Sequence, residues 1–173
     1  AAGRMPDHLA TTGTFTIGGV CTGGTGSYSI NEGKYIAFHN SASKAGIVQS
    51  GATGTIQGNY IGTNRAGEDL GNTYGVQLTL GSDTTLGGST YGQGNTIGGS
   101  DSYQIYYTAT AGTQVIKGNY IGTTSDSAGF IDLGPATHNI YVDSTAGSGL
   151  TIGGSTSGYT RNSNFLGFAD ING

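Results

Sequence analysis

Asp69, Asp101, Asp132 and Asp170 recur at intervals of 32, 31 and 38 residues (101 − 69, 132 − 101, 170 − 132). If each interval is one turn of a stacked repeat, successive carboxylates stand roughly 5 Å apart and alternate ones roughly 10 Å. Carboxylates about 5 Å apart suit a retaining glycosidase, and a separation of about 6.5–9.5 Å suits an inverting one. The same oxygens suit Ca²⁺ or a saccharide hydroxyl. Against this, Asp69-Leu70-Gly71 and Asp132-Leu133-Gly134 read as equivalent Asx turns, in which the carboxylate bonds its own backbone. The turn reading ranks first, carbohydrate or Ca²⁺ contact at Asp69, Asp101 and Asp132 second, and catalysis third. No catalytic residue, bound metal or cofactor is assigned.

The other chemistry-bearing residues narrow the field. Tyr103, Tyr106 and Tyr107 cluster around Ile105, and Tyr60 and Tyr120 occupy equivalent places in a repeat. Exposed tyrosine suits saccharide binding or contact between neighbouring columns, while shielding of the sheet is the plainer role. Tyr103 and Tyr106 are accordingly named with the aspartates as carbohydrate contacts. His8, His39 and His138 fall at unrelated places in the repeat, so no nucleophilic triad is assembled. Lys34, Lys44, Lys117, Arg4, Arg65 and Arg161 are scattered, which removes the basic cluster a polysaccharide lyase uses. A net charge of −4 gives no footprint for nucleic acid. No apolar run reaches the roughly 18–20 residues that insert in a bilayer as a helix. Cys21 is alone, so it reads as a free thiol, with an intermolecular bridge as the alternative.

These residues must be carried by strands. Thirty-five glycines in 173 residues disfavour helices, while Thr, Tyr, Ile and Val favour strands and turns. The segment Ile56-Gln57-Gly58-Asn59-Tyr60-Ile61-Gly62-Thr63 returns as Ile116-Lys117-Gly118-Asn119-Tyr120-Ile121-Gly122-Thr123, sixty residues on (116 − 56). A second motif, Thr-(Ile/Leu)-Gly-Gly, begins at Thr16, Thr85, Thr96 and Thr151. Both fit three strand phases. The first holds Ile47, Val76, Ile105, Ile140 and Ile171; the second Ile17, Ile56, Leu86, Ile116 and Ile152; the third Ile36, Ile61, Ile97, Ile121 and Leu166. One circuit takes about 30 residues (86 − 56), so the chain is expected to form a three-sided solenoid of about five turns. Asn59, Asn95, Asn119 and Asn164 each stand two residues before a third-phase apolar residue. They are expected to stack as an amide ladder at one corner.

With Gly-Asn-x-Ile-Gly-Thr and Ile-Gly-Gly at 56–63, 85–88, 96–99, 116–123 and 151–154, the chain resembles the right-handed parallel β-helix repeat proteins. The resemblance spans residues 14–171 and implies an all-β fold in a single domain, 1–173, with 1–13 as a tail or first strand. It implies an extracellular or cell-surface setting. It leaves activity open, because such folds serve lyases, hydrolases, phage spikes, adhesins and structural proteins. At the carboxyl end Asp170 and Ile171 open a new turn, and at the amino end Leu9 precedes Ile17 by eight residues (17 − 9). An uncapped parallel edge is a template for further strands. Leu9, Ile17, Asp170 and Ile171 are therefore read as assembly ends of a structural, glycine-rich subunit whose partners are head-to-tail copies of itself. A polysaccharide-binding or polysaccharide-cleaving β-helix is the alternative, with glycan as partner.

Overall fold

Parallel pairing between strands about 30 residues apart organises the molecule. The computed structural model describes residues 14–18, 35–37, 44–81, 83–124, 136–154 and 163–167. Among them there is no helix, and the strands form three parallel sheets. The second-phase sheet holds β1 (Thr14–Gly18), β4 (Thr53–Gln57), β7 (Thr84–Gly87), β10 (Gln114–Lys117) and β13 (Leu150–Ile152). The third-phase sheet holds β2 (Tyr35–Ile36), β5 (Tyr60–Ile61), β8 (Thr96–Ile97), β11 (Tyr120–Ile121) and β14 (Phe165–Leu166). The first-phase sheet holds β3 (Ala45–Ser50), β6 (Asn72–Thr79), β9 (Ser100–Tyr107) and β12 (His138–Val142). Every third strand in sequence is thus a neighbour in space.

The register follows the apolar residues. Ile17, Ile56, Leu86, Ile116 and Ile152 lie opposite one another in turn. So do Ile36, Ile61, Ile97, Ile121 and Leu166, and likewise Ile47, Val76, Ile105 and Ile140. A one-residue slip would turn each set to the opposite face, so burial specifies the pairing. Ile56, Leu86, Ile116, Ile61, Ile97, Ile121, Val76 and Ile105 have no exposed surface and share one apolar cluster. Each such side chain contributes about 1.5–3 kcal/mol by leaving water.

Corners are made by glycine and asparagine. Gly18, Gly87 and Gly153 follow their second-phase apolar residue at once with φ of 85°, 85° and 88°, whereas Gly58 and Gly118 follow two residues later at 64° and 68°. The left-handed backbone ends the strand and leaves room for an amide. A Cβ on Gly87 would lie 2.0 Å from Lys117 O and 2.5 Å from Asn119 Oδ1.

Through that gap the asparagines bond in series. Asn59 donates from N and Nδ2 to Asn95 Oδ1, both at 3.0 Å. Asn95 does the same to Asn119 Oδ1 at 3.0 and 2.9 Å, and Asn119 to Asn164 Oδ1 at 3.1 Å twice. Each Nδ2 also reaches back to a second-phase carbonyl: Asn59 to Ile17, Asn95 to Ile56, Asn119 to Leu86 and Asn164 to Ile116, at 2.8–3.1 Å. Because Asn119 is fully buried, Asn119→Ala orphans the Asn95 donors and the Leu86 carbonyl together. A loss of about 3 kcal/mol or more is expected in urea unfolding, against about 1 kcal/mol for Asn164→Ala at the partly exposed end. Gly87→Ala is expected to cost at least about 2 kcal/mol in the same assay, from left-handed strain and overpacking.

Candidate functional site

The aspartates do not converge. Asp69 is exposed, its Oδ1 accepts the Gly71 N–H at 2.9 Å, and its backbone forms an isolated antiparallel bridge with Thr63. That is the geometry of an Asx turn. Asp101, for which the turn reading ranks first in the sequence, is instead exposed within β9, because Gly98 and Gly99 alone make the turn from β8. Asp132, Asp170, Leu9, Ile171, Cys21, His8 and His39 lie outside the described residues. Among the described residues no three His, Cys, Asp or Glu side chains gather as metal ligands. An open depression of about 430 Å³ beside the third-phase sheet is lined by Tyr35, Asn64, Arg65, Ala66 and Leu70.

What does converge is aromatic. Register places Tyr74 beside Tyr103 and Tyr103 beside His138, and it places Tyr106 beside Tyr141. Each lies on the outer side of the first-phase sheet, partly or fully exposed. Tyr74 and Tyr103 stack at 5.6 Å with planes 12° apart, and Tyr103 and Tyr141 at 4.6 Å and 9°. Tyr106 leans across this column, 5.3 Å from Tyr74, 5.3 Å from Tyr103 and 5.7 Å from Tyr141, tilted by 39°, 46° and 49°. His138 closes the group edge-on to Tyr103 and Tyr141 at 5.6 Å. Pairs of this kind contribute about 0.5–1.5 kcal/mol beyond area burial.

Of the tyrosines around Ile105, Tyr107 belongs elsewhere. It is buried, and its hydroxyl donates to Gln114 Oε1 at 2.7 Å inside the core. Tyr74 and Tyr141 were not singled out from sequence, although the signal was there. Tyr74, Tyr103 and His138 each stand two residues before a first-phase apolar residue, and Tyr106 and Tyr141 one residue after.

One carboxylate borders the rings. Tyr106 donates its phenol proton to Asp143 Oδ2 at 3.3 Å, and Asp143 Oδ1 accepts from the Thr145 hydroxyl at 2.7 Å and its N–H at 2.9 Å. The Thr145 hydroxyl, then its N–H, hold the Asp143 carboxyl below the usual carboxylate range, with a smaller share from Tyr106. Burial, then the Asp143 charge, push the Tyr106 phenol up.

A depressed carboxyl adds stability above its unfolded pKa of about 3.9, lost as pH falls through the lower folded value. A raised phenol adds stability below about pH 10, lost as pH rises through the higher folded value. In an NMR titration Asp143 is therefore expected to titrate below its unfolded value. Thr145→Ala should move it upward more than Tyr106→Phe does, because Thr145 supplies the larger effects. No protein-family model matches the chain, and no curated protein or solved structure matches it at a significant level.

Proposed function

We propose that the three sheets are the faces of one right-handed parallel β-helix and that the protein is a non-enzymatic structural subunit. In this reading it adds end to end to copies of itself, in an extracellular filament or surface layer. The fixed order in which the chain visits the sheets supports the coil, as does the resemblance of its Gly-Asn-x-Ile-Gly-Thr motifs to β-helix repeats.

The observation that carries the assembly is at the edge formed by β13 and β14. Ile152 is 50 % exposed and Leu166 59 %, although their register neighbours Ile116 and Ile121 are wholly buried. Among the described residues the apolar columns therefore run out to an edge with nothing over them, beside backbone groups that a further strand would pair in register. The opposite edge of the third-phase sheet matches it. Tyr35 is 58 % exposed there and stacks on Tyr60, while Phe165 at the near edge is 42 % exposed and stacks on Tyr120. A second copy would bring Phe165 to Tyr35 and continue the stack. This contact is heterologous and does not close on itself, so it propagates.

Sedimentation velocity and negative-stain imaging of the concentrated protein are expected to show rods that lengthen with concentration. Ile152→Asp with Leu166→Asp should weaken the association at least about tenfold while leaving the unfolding midpoint nearly unchanged, since both side chains are already exposed. Monodisperse wild-type particles at every concentration would sink the reading.

A further inference from the structure

We infer that the aromatic surface of the first-phase sheet, centred on Tyr106 and Tyr141 with Asp143 at its margin, binds a neutral polysaccharide. Rings in the Tyr74, Tyr103 and Tyr141 column have their faces turned to one another, and all three side chains are partly exposed, which leaves ring edges to solvent. The hydroxyls of Tyr74, Tyr103 and Tyr141 have no partner among the described residues, which leaves donors and acceptors repeating from strand to strand. Tyr106, inclined to that column, presents a ring surface beside it.

The surface is thus neither a greasy patch nor a charged one. Its ring carbons suit the C–H face of a sugar, and its repeated hydroxyls suit the hydroxyls at the sugar's rim. A chain of such units lying along the direction in which the strands stack meets the same chemistry at each strand. The Asp143 carboxylate borders the rings, bonded by Tyr106 and held in place by Thr145. It accepts from a sugar hydroxyl and repels a uronate, which selects neutral over acidic polymers. A protein partner is the weaker fit, because interface cores are apolar and desolvated whereas these hydroxyls are numerous and open.

The test is affinity electrophoresis in gels containing hydroxyethyl cellulose, glucomannan, xylan or polygalacturonate. The Ile152→Asp/Leu166→Asp protein is used beside the wild type, so that loss of end-to-end assembly and loss of saccharide binding are read separately. Retardation by at least one neutral polymer and none by polygalacturonate is expected. Tyr106→Ala and Tyr141→Ala should each weaken the binding at least about tenfold. Tyr91→Ala, which removes an exposed tyrosine outside the group, should leave it unchanged. Asp143→Asn serves as the second variant, keeping the rings while removing the charge; it should keep most of the binding and lose part of the preference over polygalacturonate. The inference is overturned if no neutral polymer retards the protein, if polygalacturonate retards it equally, or if the alanine variants bind as the parent does. It is also overturned if Tyr106→Ala abolishes only lateral association between copies.

Discussion

The asparagine corner is the interaction on which the rest of the structure depends. Asn59, Asn95 and Asn119 each link three levels of strands: Asn95 stands between β7 and β8, bonds the Ile56 carbonyl of β4, and bonds Asn119 beyond β10. It also ties two sheets together, because the carbonyls it reaches belong to the second-phase sheet while its own backbone leads into the third. A buried corner leaves backbone polar groups that water cannot reach, and leaving them unpaired costs about 1–3 kcal/mol each. Asparagine satisfies both a donor and an acceptor at that place. The glycines beside it are a consequence, since a Cβ on Gly18 or Gly87 would enter the space of the Asn59 or Asn119 amide.

With the register held at that corner, the two faces of each strand diverge in chemistry. Inward positions stack isoleucine, leucine and valine into a dry cluster, with the Tyr107–Gln114 hydrogen bond as a polar member. Outward positions repeat as well, and like residues one circuit apart meet face to face, as Tyr35 meets Tyr60 and Tyr74 meets Tyr103. Parallel in-register pairing therefore turns a repeated residue into a continuous surface. The same property extends to the edge: Ile152 and Leu166 continue the register of the buried columns but are themselves exposed.

Much of this was legible from spacing, because pairing between strands about 30 residues apart carries the period of the sequence into space. The three sets of apolar residues, and the asparagines two places before the third set, follow from counting. The surface chemistry was harder to read. Asp101 lies in a strand because Gly98-Gly99 suffices for the preceding turn, and Tyr107 points inward because its strand alternates. Tyr74 and Tyr141 are 67 residues apart (141 − 74), and the shared neighbours Tyr103 and Tyr106 bring them into one group.

By itself the sequence determined which residues share a register, since periodic burial of β-branched side chains penalises any slip. It also determined where corners fall, since glycine accepts left-handed backbone at little cost and Gly18, Gly58, Gly87 and Gly118 all adopt it. Tertiary structure decided which side chains face out together, how the rings tilt, and that the Asp143 carboxylate is oriented by Thr145 beside Tyr106. Those are matters of angle and distance between strands, and composition carries no information about them until the sheet has brought the strands side by side.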